Sequence, residues 1–381
     1  MTSVMTTRFV RDRHHPRVGF IGGGFIAGVH SRAARSAGAV LVGVASVSPE
    51  DAQRAATDFG CETAYASAEE LFADDSIDVV HICTPNVTHA SLTMAALEAG
   101  KHVICEKPLA TSVEDAQDLA RGATAAGATA AVPFVYRYHP MVREARARVA
   151  RGDVGTLLSI QGQYLQDWLL VPGAGDWRLD AAVVGPSRAF ADIGSHLADL
   201  VEFVTGERIA RLTAITSTVH RDGATRSVKA TEDVVAVAMQ TLGGAIGTLL
   251  VSQLAPGRKN DLALEISGTR QSLRFEQERP ETLWVGQLAE SRLLTRDVSD
   301  LTPDAARLSI LPAGHPLGYQ DAFNAFVADA YAAARGERPE GLPTFDDGLR
   351  AVMVTDAVLE SAATGAWVDL ASPPHTEALA S

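Results

Sequence analysis

Cysteine is scarce. Cys61, Cys83 and Cys105 are the only three in 381 residues, and all lie in the first third. Their odd number and spacing exclude a disulfide framework and offer no zinc site, which leaves buried free thiols in a reducing cytoplasm. Long hydrophobic runs are missing too. No segment reads as a bilayer span, and the opening MTSVMTTRFVRDRHHP has no apolar stretch of signal-peptide length. Positive charge is in deficit, with 33 Lys and Arg against 46 Asp and Glu and a formal net charge of −13. That balance excludes a protein that tracks nucleic-acid phosphates through clustered cations. What remains is ordinary globular material, 46% hydrophobic and 21% charged, enough for the cores of two domains at this length. The expectation is a cytoplasmic protein with neither nucleic acid nor membrane as partner.

The first third alternates strand and helix patterns. Apolar runs at Arg17 to Ile21, Val40 to Ser46, Ile77 to Thr84 and His102 to Glu106 read as strands. Helical runs follow them at Phe25 to Ala37, Pro49 to Phe59, His89 to Ala99 and Ser112 to Ala126. Such alternation predicts a doubly wound parallel sheet, with ligands at the carboxyl ends of its strands. Beyond about Pro133 the pattern changes. Alternating or β-branched segments at Leu157 to Tyr164, Thr213 to Val219, Asp233 to Gln240, Ala245 to Gln253 and Leu262 to Ser267 read as strands. Gly243-Gly244 marks a hairpin between two of them. Helices are expected at Pro140 to Arg151, Ser187 to Val204, Tyr319 to Arg335 and Phe345 to Thr364. The fold class is therefore α/β: an N-terminal parallel sheet at 17–135 and a mostly antiparallel α+β domain at 136–370, with loose tails at 1–16 and 371–381.

Three strand ends carry candidate chemistry. Gly22-Gly23-Gly24-Phe25-Ile26-Ala27 follows the first strand and opens a helix, as in a dinucleotide loop with alanine for the third glycine. A glycine turn between strand and helix is also a common structural device, and the position after the first strand is what favours the cofactor. The acid expected about 20 residues on, at the adenosine ribose, is missing. The second strand ends in Ser46-Val47-Ser48, with no acid and no adjacent arginine. Ser46 and Ser48 suit ribose hydroxyls, which favours NAD and leaves NADP open. Thr84-Pro85-Asn86, with His89 following, reads equally as a turn and helix start. Glu106-Lys107-Pro108 is different, because a lysine at the carboxyl end of an apolar parallel strand points into the ligand crevice.

In the second domain, AFADIGSHLAD (residues 189–199) places Asp192 and His196 four apart, on one face of a helix. Alone, His196 reads as a satisfied core histidine; together with Lys107 and Asp192 it reads as a proton-handling site.

These pieces carry a resemblance. GFIGGGFIAGVH, VVHICTPNVTHA, AGKHVICEKPLA, RYHP, DWRLD, ADIGSHLADL and TFDDGLRAVMVTDAVLESAATGAWVDL occur in the order and spacing of the glucose–fructose oxidoreductase, inositol dehydrogenase and rhizopine-catabolism family, Gfo/Idh/MocA. The resemblance implies a Rossmann domain, a second domain with an open sheet, and a nicotinamide cofactor between them. It also implies hydride transfer to or from a secondary hydroxyl of a sugar or polyol.

Carried over by motif, the catalytic residues are Lys107, Asp192 and His196. His196 would take the hydroxyl proton, Lys107 would bond the developing alkoxide, and Asp192 would orient His196 or hold a neighbouring hydroxyl. Cofactor contacts fall on Gly22, Gly24, Phe25, Ile26, Ser46, Thr84, Asn86, His89, Glu106, Lys107, Trp177 and Arg178. Substrate contacts fall on Lys107, Tyr136, Arg137, Gln163, Tyr164, Gln166, Trp168, Arg188, Asp192, His196 and Tyr319. The family's glycine run before the catalytic helix appears here as Gly185-Pro-Ser-Arg188, so Arg188 either touches substrate or caps structure. Trp168 and Trp177 suit a sugar's C–H face or, for either one, interdomain packing. The stretches YLQDW and SRAFADIGSH look most like a branch that oxidises C3 of glucose-type rings, such as levoglucosan, with NAD.

Two other classes compete. A sensor like the galactose-regulon repressors binds dinucleotide without turnover and need not keep the catalytic trio. A redox-neutral glycosidase needs a further base, for which Tyr136, Tyr164 and Tyr319 are the candidates. The resemblance also implies a homodimer or homotetramer formed through the open sheet face.

Overall fold

The fold is taken from a computed structural model, which describes residues 15–171, 180–219 and 231–370. Its first sheet contains β1 (Arg17–Ile21), β2 (Val40–Ala45), β3 (Thr63–Ala64), β4 (Val79–Ile82), β5 (His102–Cys105) and β6 (Ala130–Ala131). All its pairings are parallel, in the order β3-β2-β1-β4-β5-β6. The order reverses between β1 and β4, which opens a crevice at the carboxyl ends of the central strands. Val18, Phe20, Val80 and Val103 on these strands are fully buried, as strands covered on both faces require.

The covering helices are α1 (Phe25–Ser36), α2 (Pro49–Phe59), α3 (Ala68–Ala73), α4 (His89–Glu98) and α5 (Val113–Ala126). Their ends follow local chemistry. Ser48 caps α2 by accepting from the Asp51 amide, Pro49 occupies its first turn, and Gly60 closes it at φ 65°. Ser112 and Gly127 do the same for α5.

The second sheet has the order β14-β13-β12-β11-β7-β10-β9-β8-β15. In chain order its strands are β7 (Leu157–Leu165), β8 (Ile209–Ser217), β9 (Val234–Thr241), β10 (Ile246–Ser252), β11 (Asp261–Gly268), β12 (Ser272–Glu276), β13 (Thr282–Gly286), β14 (Ser291–Thr295) and β15 (Val368–Asp369). Among the described residues every pairing is antiparallel except β7 with β10. Gly244, at φ 92°, turns the β9–β10 hairpin at the expected glycine pair. The short hairpin strands β13 and β14 have no sequence expectation behind them, since β14 is exposed along most of its length and shows little alternation.

One face of this sheet is packed by helices α6 (Pro140–Ala150), α8 (Ser195–Thr205) and α11 (Phe345–Thr364), and its core runs from Tyr136 and Met141 to Leu197, Val201 and Val358. Three further helices are α7 (Ala181–Val184), α9 (Pro303–Arg307) and α10 (Tyr319–Ala334). The last helices return to the first sheet. Phe323 and Phe326 of α10 join the core under α1, while Phe345 and Leu349 of α11 pack beside Leu119 of α5.

One expected helix changes form. In place of a regular helix from Ser187, Phe190–Gly194 makes a π-helical turn that runs into α8. Gly194 permits it, because a Cβ there would meet the Phe190 ring at 2.5 Å. A π-turn adds a residue to the helical repeat and is frequent at functional sites. Here it carries Asp192.

Candidate active site

A cleft of about 1150 Å³ runs across the carboxyl ends of β1, β4 and β5 and is closed on its far side by the second domain. Its glycine end is built for close approach. Gly22 has φ 102°, and a Cβ on it would lie 2.5 Å from the Cys83 carbonyl. Gly24 caps α1 without any side-chain hydrogen bond and has open space where a Cβ would be. The first amides of α1 are thus left for an anion such as a pyrophosphate. The residues present therefore fit a dinucleotide. Phe25 and Ile26 line this end, with Phe25 77% exposed at the mouth.

Ser46 lines the cleft at the end of β2, beside Val47, Asp51 and Arg54. Arg54 alters the expectation that no arginine stands near this end. It comes from the second turn of α2, eight residues beyond Ser46, so no strand-end motif revealed it. Asp51, three residues before it, holds it at 2.5 Å.

Thr84, Asn86 and His89 follow β4 and also line the cleft. Asn86 donates to the Val184 carbonyl at 3.0 Å, which ties this turn to α7. His89 is fully buried, with Nδ1 2.7 Å from the Pro108 carbonyl and Nε2 2.8 Å from the Thr84 carbonyl. A neutral ring can donate to only one of these, and burial holds its pKa down. Its geometry is that of a brace between two cleft-forming turns.

Lys107, at the end of β5, reaches across to the π-turn. Its Nζ donates to Asp192 Oδ1 at 2.5 Å and to the Asp192 carbonyl at 2.9 Å. Burial lowers the lysine's pKa, but the Asp192 and Glu106 carboxylates outweigh it and carry the net shift upward. Lys107 is therefore an ammonium, a donor and not a base. The second Asp192 oxygen, Oδ2, accepts from Gln253 Nε2 at 2.7 Å.

His196 enters the cleft from the first turn of α8, among the rings of Phe134, Tyr136 and Tyr164. Its Nδ1 is buried without a hydrogen-bond partner among the described residues. Asp192 therefore does not orient the histidine through Nδ1, contrary to one sequence expectation; its carboxylate is engaged by Lys107 and Gln253. Burial first, and the nearby Lys107 charge second, push His196 down to about 3. The ring is neutral across the physiological range.

The wall opposite is a hydrogen-bonded polar cluster. Tyr136 and Tyr164 hydroxyls meet at 2.5 Å, and Asn260 bonds both, accepting from Tyr164 at 2.7 Å and donating to Tyr136 at 3.1 Å. Gln166 donates to Asn260 at 2.9 Å and accepts from the Trp168 indole at 2.7 Å. Tyr319 lines the same cleft. Burial raises the pKa of Tyr136, Tyr164 and Tyr319. That direction works against the tyrosinate base a redox-neutral glycosidase would need.

Three residues expected at the substrate do not line the cleft. Arg137 is buried in ion pairs with Asp199 and Asp347 and stacks on Phe203. Arg188 is buried against Asp233 and donates to Thr231 and to Gln253 Oε1 at 2.9 Å. Gln163, on β7, faces away and donates to Asp261 at 2.6 Å. In each case the reason is the same: a fixed partner inside the second domain satisfies the side chain, and only Arg188 reaches the site indirectly, through Gln253 and Asp192. Trp177 and Arg178 lie outside the described residues. Asn260 and Gln253 went unread because neither belongs to a motif. Strand pairing brings them in: Asn260 precedes β11, which aligns Leu262 with Tyr164, and Gln253 follows β10.

Comparison with known proteins agrees with this geometry. Residues 16–134 match the family model described as "Oxidoreductase family, NAD-binding Rossmann fold", and residues 142–274 match the "GFO/IDH/MocA C-terminal domain". A levoglucosan dehydrogenase of Pseudarthrobacter phenanthrenivorans is 32% identical over 93% of this chain and 97% of its own length. The structure of a levoglucosan dehydrogenase in complex with NADH and levoglucosan superposes with TM-score 0.87 at 31% identity, over 94% of this chain and all of that one. An oxidoreductase domain protein from Kribbella flavida gives TM-score 0.86 at 34% identity, with the same coverage.

Proposed function

Because the chain belongs to the Gfo/Idh/MocA family of NAD-binding oxidoreductases, we propose that its cleft oxidises a ring secondary hydroxyl of a sugar, at C3 of a glucose-type ring such as levoglucosan. The observation that carries this reading is the meeting of Lys107, an ammonium fixed by Asp192, and His196, a neutral imidazole, in one cleft behind a dinucleotide loop.

Bound NAD supplies the hydride acceptor. The substrate carbinol then loses two things, a hydride from carbon and a proton from oxygen, and becomes a ketone. His196, neutral and lining the cleft, can take the proton, and because burial makes its imidazolium costly the ring passes the proton on rather than keeping it. Lys107 donates to the oxygen as negative charge develops there, which lowers the barrier without any proton leaving the lysine. Asp192 aims Lys107, and Gln253 holds Asp192. Gly22, Gly24, Phe25 and Ile26 would hold the pyrophosphate end, with Ser46 and Asp51 at the ribose and Thr84, Asn86, Glu106 and Lys107 towards the nicotinamide. The Tyr136, Tyr164, Asn260 and Gln166 cluster presents both donors and acceptors, the kind of groups that sugar hydroxyls bond to. Trp168, 37% exposed, offers an apolar face to ring C–H groups.

The assembly belongs to the same reading. The outer face of the second sheet carries Leu158, Ile215, Ile246 and Leu250, each 42–74% exposed. Leu250 of β10 and Ile215 of β8 both pair with Ala236 of β9, so the three form one apolar row. Such a face supports a homodimer or homotetramer built sheet to sheet. No helix of the described residues is long and apolar enough to cross a membrane.

The test is a panel of anhydrosugars, hexoses and inositols with purified protein, scored for NADH and NADPH formation in parallel. Turnover of a glucose-type ring with NAD, and its ring ketone as product, is the expected result. Binding of dinucleotide with no turnover across the panel would return the protein to the sensor class.

A further inference from the structure

Behind the cleft floor lies a line of buried polar side chains that the reaction does not use directly. Tyr331 of α10 lies 2.7 Å from His81 Nε2, His81 Nδ1 lies 2.8 Å from His30 Nδ1, and His30 Nε2 lies 3.0 Å from Glu106 Oε1. His30, on α1, and His81, on β4, are fully buried, and Tyr331 is 1% exposed. Glu106 is the only member that reaches the cleft. Its other oxygen, Oε2, accepts the Lys107 amide at 3.1 Å.

The donors can be ordered from the inventory of each group. A carboxylate only accepts, so His30 Nε2 carries the proton facing Glu106. With His30 neutral, its Nδ1 accepts from His81, whose Nε2 then accepts from the Tyr331 hydroxyl. With His30 protonated, the outer two bonds reverse and the bond to Glu106 is unchanged. Burial holds His81 neutral in either case. Both arrangements present Glu106 with the same donor, and neither opens a path to solvent.

We propose that His30, backed by His81 and Tyr331, is a positioning residue for the dehydrogenase reaction: it holds Glu106 as a fixed carboxylate beside Lys107, so that the lysine is set between two negative neighbours. Burial alone would raise the Glu106 pKa, and the hydrogen bond and charge interactions of His30, followed by Lys107 and His196, bring it below the ordinary value. The groups facing Glu106 are His30 on α1, Cys83 after β4, His89 on α4, Lys107 beside it, His196 on α8 and Tyr319 on α10, together with its chain neighbour Cys105. Among the described residues only His30 donates a side-chain hydrogen bond to it.

The kinetic arm of the test rests on the oxidoreductase reading, and the spectroscopic arm does not. In His30→Leu an acid limb of kcat/KM is expected at about pH 6 or above, with the rate recovering at higher pH. His30→Gln, whose amide can donate to Glu106 and accept from His81, is expected to return the wild-type profile. Infrared difference spectra at about pH 6 are expected to show a protonated buried carboxyl in His30→Leu. That band should be absent from wild type and from the His30→Leu/Glu106→Gln double variant. Tyr331→Phe removes one hydroxyl only, and is expected to move the same limb and band in the same direction by less. A folded His30→Leu protein without the band, or with the same fractional loss at every pH, overturns the proposal. So does a His30→Gln profile that matches His30→Leu. If His30→Leu does not fold, an unchanged profile and spectrum in Tyr331→Phe overturn it alone.

Discussion

Lys107 Nζ and Asp192 Oδ1, 85 residues apart in the chain and on different domains, lie 2.5 Å apart across the cleft. The pair explains why the lysine stays charged in a largely buried setting, and it commits Asp192 Oδ1 to Lys107 while His196 Nδ1 has no hydrogen-bond partner among the described residues. Lys107→Ala should therefore lower kcat by about 100- to 1000-fold, the range seen when a donor to a developing oxyanion is removed. NADH affinity, read by fluorescence titration, should change by less than about threefold. A folded variant with near-normal kcat would remove Lys107 from the chemistry.

The pH behaviour follows from burial. His196 is pushed down to about 3, so it should impose no acid limb on kcat/KM between about pH 5 and 8. This differs from the limb near neutrality that a base held by Asp192 would give. His196→Asn should lose rate by a similar factor at every pH in that range. A wild-type limb near 6.5 that disappears in His196→Asn would show the histidine to be charged more readily than its surroundings allow.

Stability should respond in the same direction. His102 and His139 are each pushed down to about 4 by burial. A histidine with a depressed folded pKa binds fewer protons folded than unfolded, so stability is present above about 6.5 and is lost as pH falls towards 4. Each contributes about 2 kcal/mol of loss by about pH 5. Thermal melts at pH 7.5 and 5 should show the drop, and His139→Phe should flatten part of it. An equal Tm at both values would mean these rings are not held neutral.

How far the sequence carried this reading depends on whether the signal was local. Helix α11 spans the expected residues, since a continuous apolar periodicity marks its body, Thr344 and Asp347 cap its start and Gly365 its end. The parallel sheet was legible from strand–helix alternation, and Lys107, Asp192 and His196 from their motifs. Arg137 was misread because an arginine beside a motif shows its charge and not its partner, and for the same reason Arg188 stood open between substrate and structure until its partners were in place. Asp199 and Asp347, which bury Arg137, sit inside the family-like stretches, and Asp233, which buries Arg188, lies just before β9; nothing in the sequence pairs any of them with these arginines. Asn260 and Gln253 could not be seen at all, because only the register of β11 on β7 and of β10 on β9 brings them to the site.

The buried arginines give a direct contrast with substrate contacts. Arg137→Met removes the partner of Asp199, whose exposure is too low for water to compensate. It should cost about 3–5 kcal/mol in denaturant unfolding. KM for the sugar should stay within about twofold in protein that remains folded. A raised KM with unchanged stability would restore the arginine to the substrate.

Cofactor choice turns on Asp51 and Arg54. The Asp51 carboxylate sits at the ribose end of the cleft and engages Arg54, the cation there that could grip a 2′-phosphate. Asp51→Asn should tighten NADPH binding by about tenfold while leaving NADH binding within about threefold. Arg54→Ala in the same background should remove the gain. Equal NADPH affinity in wild type and Asp51→Asn would place the discrimination elsewhere.

Transfer of a label decides the central claim most directly. Levoglucosan carrying deuterium at C3 is incubated with NAD and purified protein, and both products are read by NMR. The expected result is a C3 ketone with the deuterium at C4 of the reduced nicotinamide, in equal amounts, both formed about 100- to 1000-fold more slowly with Lys107→Ala. Consumption of the sugar with deuterium kept on the ring, or lost to water without reduced cofactor, would contradict it.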